Sequence, residues 1–352
     1  MQAHSYLGGQ PVIEAHETTK RPTTCTTLVP VGLQAILKPL HFGQLATGES
    51  RTLNEDYLLR TRQYYSEISL WPSQPSDIDP KGWLDNFRPV RDREIARELL
   101  GSFIFINAKQ TESLFISAFH AISSEIIPMS ERADAQTKAW QDFRKSAAFS
   151  FPTAGTFDPA ASGSIFLRMA RQKLRIDESQ LFTPDTLVSH VEGSQMTNIV
   201  IVDDFAGSGE QFISTILRDY ENSLGAKRSL KSLLDSGRIN KLYYIPLVCT
   251  TTAKITIQND LKLVKLRPAH ILPPSYQIRP KWGETSLVPP NMVGEIDDFL
   301  ARYAAHAGYP VEQRFGYNDL GLALAFEHSI PDNTLPIFWS ENENWKPLRR
   351  RL

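Results

Sequence analysis

The segment Ile199-Val200-Ile201-Val202-Asp203-Asp204-Phe205-Ala206-Gly207-Ser208-Gly209-Glu210-Gln211-Phe212 constrains the fold of this chain more than any other stretch. Four consecutive β-branched residues predict a strand buried on both faces. Two adjacent carboxylates end that strand and a Gly-Ser-Gly turn follows. A helix comes next, with Phe212, Ile213, Ile216, Leu217 and Tyr220 expected on its apolar face. Open α/β sheets bind ligands at the C-terminal ends of parallel strands. There the turn offers backbone N–H groups and the helix start a partial positive charge, which suit a phosphate. The acidic pair suits ribose hydroxyls, directly or through a magnesium ion.

The flanking sequence supplies the rest of such a sheet. Ala148-Phe149-Ser150-Phe151 predicts a first strand ended by Pro152. Ser162-Gly163-Ser164 then opens a helix carrying Ile165, Phe166, Met169 and Ala170. Residues 242–248 predict a third strand, which Pro246 should push to an edge or mark with a bulge. Residues 261–266 alternate as a half-buried strand, 293–304 predict a helix, and 321–326 a last apolar strand. Strands alternating with helices argue for an α/β fold with a mostly parallel, doubly wound sheet. Ahead of it, residues 51–145 predict a helical layer, with clear helices at 93–100 and 111–122. Residues 1–50 are polar and punctuated by Gly and Pro, with short apolar stretches between Thr26 and Leu40. The expected organisation is therefore an irregular segment 1–50, a helical subdomain 51–145 and an α/β domain 146–352 with C-terminal hood elements.

Composition excludes several function classes. A formal net charge of −1 gives no whole-protein field toward nucleic acid or membrane. Two distant cysteines, Cys25 and Cys249, supply neither a disulfide framework nor a zinc site. No apolar run reaches membrane-spanning length and no charged-then-apolar leader opens the chain, so a cytoplasmic protein is expected.

The acidic pair and its turn resemble the phosphoribosyl-pyrophosphate (PRPP) loop of type I phosphoribosyltransferases. The resemblance implies that Asp203 and Asp204 bind ribose hydroxyls and meet Mg²⁺ brought with PRPP. It implies a 5′-phosphate site at Ala206, Gly207, Ser208, Gly209, Glu210 and Gln211. The sequence departs from that pattern where Glu210 and Gln211 stand in place of the usual loop threonine. The same letters are similar to the adenosylmethionine-binding turn of amino-directed DNA methyltransferases. The partner motif of those enzymes is lacking, since Leu272-Pro273-Pro274-Ser275-Tyr276 offers no polar first residue.

Over residues 55–350 the order of short motifs resembles a phosphoribosyltransferase-like family of bacterial conflict systems, some associated with retrons. These motifs are Trp83 to Phe87, Ser162 to Ser164, Asp203 to Gly209, Gly316-Tyr317-Asn318-Asp319 and His328 to Trp339. That resemblance implies a role in anti-phage defence, with other defence proteins or a nucleic acid as partners and an oligomer or complex as the working form.

Other positions carry two readings each. Ser162, Gly163 and Ser164, with Arg168 one turn on, are either a pyrophosphate loop or a serine-capped helix start. His328 and Asn333 follow an apolar strand, where they serve a base or acceptor or simply form a surface turn. The basic run Lys346 to Arg351 is a solvated tail or a contact to phosphates. Two function classes stay open: a PRPP-dependent transferase, and a module that binds a nucleotide or sugar phosphate without turning it over.

Overall fold

The computed structural model describes residues 53–129, 131–153, 155, 163–194, 196–221, 225–279 and 286–351. The expectations for residues 1–50 and for Ser162 lie outside these residues.

A five-stranded parallel sheet organises the fold. Its strands are β2 (Ala148–Ser150), β3 (Thr197–Ala206), β6 (Ile239–Thr250), β7 (Val264–Leu266) and β8 (His270–Leu272). β3 lies between β2 and β6, and β6 carries both β7 and β8 on its far side. All of these pairings are parallel. Ile199, Val200, Ile201 and Val202 are fully buried, which fits helices on both faces. One face packs against α8 (Pro184–Gly193), α9 (Glu210–Leu217), α10 (Leu230–Asp235) and α11 (Thr251–Asp260). The other meets α4 (Ala108–Ala121), α6 (Ala133–Ser146) and α7 (Gly163–Leu174), with aromatic pairs to the strands from α4 and α6. Phe119 lies 5.7 Å from Phe149 and Phe143 lies 5.8 Å from Tyr243, ring centre to ring centre. The expected mixed α/β class with a mostly parallel, doubly wound sheet is the observed one.

Four details differ from the expectations. β6 is a central strand in spite of Pro246, because the neighbouring edge is split: β7 pairs as far as Tyr244 and β8 resumes at Val248. The proline sits at that gap, where its carbonyl still accepts from the Ala269 N–H at 3.2 Å. β3 runs on through Asp203 and Asp204 to Ala206, so the carboxylates are part of the strand and do not follow it. α9 ends at Leu217, which is exposed, and Tyr220 reaches the core from β4 (Asp219–Glu221) in a small antiparallel ribbon with β5 (Lys227–Ser229). Residues 324–326 form β9 (Leu324–Phe326), which pairs with β1 (Ile104–Ile106) apart from the main sheet.

That second pairing joins the two ends of the described chain. One apolar core contains α1 (Glu55–Glu67), α2 (Pro80–Leu84) and α3 (Val90–Ser102) together with α13 (Ile296–Ala307) and the C-terminal turns. Trp83 is its hub. The ring is fully buried, stacks 5.1 Å from Phe338, and donates its N–H to the Ile337 carbonyl at 2.8 Å. This packing carries the C-terminal segment Gly316 to Asn333 back over the C-terminal end of β3.

Candidate functional site

Successive side chains of a strand point to opposite faces, so β3 delivers its two carboxylates differently. Asp203 shares the face of Ile199 and Ile201 and accepts a 2.7 Å hydrogen bond from the Tyr244 hydroxyl. The Tyr244 ring is itself fixed by stacking on Phe212 at 3.7 Å and 6°. Asp204 faces the other way. Its Oδ2 accepts from Ser329 Oγ at 2.8 Å and is bonded to His328 Nε2 at 3.0 Å. His328 is packed between Phe166 and Phe326, so it stands behind Asp204 and outside the cleft wall.

Both carboxylates are almost fully buried, and their surroundings split their charge states. Burial pushes the Asp203 carboxyl well up, and the neighbouring Asp204 charge adds to the rise. Burial also acts against ionisation of Asp204, but the His328 hydrogen bond and charge, with Ser329, hold its carboxyl below the ordinary range. The surroundings thus favour the neutral form of Asp203 and the ionised form of Asp204.

The two carboxylates open onto a cleft of about 640 Å³. Its wall includes the whole run from Phe205 to Phe212, together with Tyr244, Tyr317 and residues 329–333. The turn is fastened from both sides. Thr250 Oγ1, the N-cap of α11, donates to the Gly207 carbonyl at 2.5 Å and accepts from the Ala253 N–H at 3.0 Å. Asn333 covers Gly207 so closely that a Cβ there would lie 2.0 Å from Asn333 Oδ1. Gly209 adopts φ +86°, a left-handed conformation that costs other residues about 1–2 kcal/mol. Glycine at 209 is thus favoured by backbone angle, and a side chain at 207 would have to displace Asn333.

Glu210 opens α9, and its carboxylate is held by the opposite wall: the Tyr317 hydroxyl donates to one oxygen and Asn318 Nδ2 to the other. Gln211 lines the cleft, and its carbonyl accepts from Thr215 Oγ1 at 2.8 Å. Thr215 and Arg218 also tie α9 to the loop after β2, through Thr153 and Gly155.

The other expected positions are placed as follows. Gly163 starts α7 directly on Phe151, where a Cβ would lie 2.2 Å from the ring. Close packing thus explains this glycine. Ser164 and the exposed Arg168 stand outside the described cleft wall. The basic tail is largely committed. Arg349 is buried and donates to the Asp77 and Glu327 carbonyls, and Arg350 pairs with Glu341 at 3.2 Å. Arg351 pairs with Asp332 and lies over Trp339. It is the one arginine or lysine lining the cleft among the described residues.

Tyr244 and Thr250 were not read as site residues, whereas Tyr317 and Ser329 lie in motifs of the family resemblance and Arg351 in the basic run weighed for phosphate contact. For Thr250 the three-threonine run at the end of β6 is a local signal, that of a helix cap.

No group of three or more His, Cys, Asp and Glu side chains able to hold a metal occurs among the described residues. Magnesium keeps several waters and takes one or two carboxylates with substrate phosphates. Of the pair, Asp204, whose carboxyl is held below the ordinary range, is the one whose chemistry would suit such an ion.

A parallel doubly wound sheet whose central strand carries a carboxylate pair near its C-terminal end, beside a glycine turn, defines a phosphoribosyltransferase-like α/β protein. The chain belongs to the PRTase-CE family, whose model matches residues 80–351. It is also similar to solved structures. Orotate phosphoribosyltransferase from Aeropyrum pernix shares 16% identity with a TM-score of 0.25, over 46% of this chain and 71% of that one. A Neisseria gonorrhoeae protein solved with bound ppGpp shares 10% identity, TM-score 0.29, over 49% and 85%. A protein from Aquifex aeolicus shares 12% identity, TM-score 0.28, over 57% and 86%. No curated protein matches the chain.

Proposed function

We propose that the chain binds Mg-PRPP, or a nucleotide sharing its ribose phosphate, at Asp203, Asp204 and the Gly207–Gly209 turn, and transfers the phosphoribosyl group. The observation that carries this reading is the delivery of both carboxylates and the fastened turn into one cleft. Asp204, ionised, accepts from ribose hydroxyls. Asp203, whose neutral form burial favours, stands beside it. The turn amides and the start of α9 take the 5′-phosphate. As the bond from the anomeric carbon to pyrophosphate breaks, positive charge grows on the ribose ring, and the Asp204 carboxylate and the departing pyrophosphate stabilise it. A nitrogen or oxygen of a base, nucleotide or nucleic acid forms the new bond. In a defence system such chemistry would deplete or modify nucleotides.

A second reading, binding without turnover in a sensor or assembly module, is favoured by Glu210 and Gln211 in the loop and by Arg351, the cleft's one arginine among the described residues, already paired with Asp332. Thermal unfolding with Mg-PRPP, and with adenosylmethionine as competitor, tests the binding claim. At a hundred times its dissociation constant a ligand adds about 2.7 kcal/mol, an upward shift of roughly 3–6 °C. No shift with Mg-PRPP would remove the reading. Release of pyrophosphate on adding candidate acceptors separates transferase from sensor.

A further inference from the structure

We propose that Tyr317 and Asn318 are positioning residues for the phosphate turn: they clamp the Glu210 carboxylate to the facing strap and so leave the turn amides open to an anion. The inference rests on the reading of the cleft given above. Glu210 directly follows Gly209 at the first position of α9, where a loose carboxylate would repel a phosphate on the neighbouring amides. In the structure both of its oxygens are occupied by uncharged donors from 107 and 108 residues away.

The strap is shaped to hold those donors in place. Gly316 adopts φ +72°, and a Cβ there would lie 2.8 Å from the Asp332 carbonyl and 2.9 Å from that of Thr334. Asn318 takes a left-handed conformation, φ 54° and ψ 26°, which asparagine tolerates better than most residues. Between them, the Tyr317 backbone is fastened at both ends. Its N–H donates to the Asp332 carbonyl at 2.8 Å, and its carbonyl accepts from Asn333 Nδ2 at 2.8 Å. The same Asn333 side chain abuts Gly207, so strap and turn meet at two points, Asn333 and Glu210. The Glu210 hydrogen bond and charge, with a smaller effect from Asp332, push the Tyr317 phenol up. It therefore remains a donor at neutral pH.

The test uses Mg-PRPP and inorganic phosphate as calorimetric probes of the full chain. Tyr317 is 53% exposed, so Tyr317→Phe with Asn318→Ala leaves the core intact. This double variant should bind Mg-PRPP about tenfold or more weakly. Adding Glu210→Gln should restore affinity to about that of Glu210→Gln alone, because a neutral amide no longer repels the phosphate. A ligand-free readout accompanies it: the Tyr317 ring-carbon titration should move down in Glu210→Gln. Binding by the wild type with no loss in the double variant, or no rescue by Glu210→Gln, overturns the clamp alone. An unmoved Tyr317 titration does the same. Failure of the wild type to bind either probe overturns the functional reading and the clamp's role with it.

Discussion

Asp204→Asn should weaken Mg-PRPP binding by roughly 10- to 150-fold, the range for one charge-assisted hydrogen bond worth about 1.5–3 kcal/mol. The substitution is isosteric, so Ser329 and His328 keep a polar partner and the strand keeps its packing. What disappears is the ionised acceptor and its effect on the charge growing on the ribose ring. Asp203→Asn should cost much less, because burial and the adjacent Asp204 charge already disfavour the ionised form of Asp203. The two variants are therefore expected to be unequal, although the residues are neighbours in sequence. Titration calorimetry on both single variants checks the order. Equal losses, or affinities within twofold of wild type, would contradict the division of roles drawn for the pair.

The largest expected loss of stability lies outside the cleft wall. Trp83→Ala should lower the unfolding free energy by about 3–5 kcal/mol, the range for truncating a fully buried aromatic. The ring stacks on Phe338, meets Phe87 edge-on at 4.9 Å, and bonds to Ile337 across 254 positions of sequence. It thus couples α2 to the turn that follows the Asp204-binding residues. Against a usual total of about 5–15 kcal/mol, that loss is a large fraction. Urea unfolding followed by far-UV circular dichroism measures it. A change under about 1 kcal/mol would mean that the core of α1–α3 and the C-terminal turns closes without Trp83.

The sheet and the turn were legible because their signals are local. Four β-branched residues, two acids and Gly-Ser-Gly lie within eleven consecutive positions, 199–209, and each has one dominant conformational meaning. What was not legible depends on register and on returning chain. Tyr244 meets Asp203 only because β6 pairs with Asp203 opposite Pro246, two positions on along the same face. Ser329 and His328 come from beyond β9, more than 120 residues away. Tyr317 and Asn318 stand in a short Gly-Tyr-Asn-Asp motif, and nothing local says that Glu210 lies across from it. The basic run was legible in part, since Lys346, Arg350 and Arg351 are exposed and Arg349 alone of its basic residues is buried. Charge runs usually face solvent, whereas the Arg349 guanidinium is buried by satisfying two backbone carbonyls and covering the Phe105 ring. Pro246 misled because a split neighbouring edge let a central strand keep a residue without an N–H.

The most direct test of the central claim is the amide spectrum of the chain labelled with [¹⁵N]glycine, titrated with Mg-PRPP. Only nineteen glycines report, and two of them, Gly207 and Gly209, form the turn. Binding as proposed moves both of these amide protons downfield, with the effect weakened in Asp204→Asn. Saturating ligand that leaves Gly207 and Gly209 unmoved, or that shifts other glycines in their place, contradicts a phosphoribosyl site at this turn.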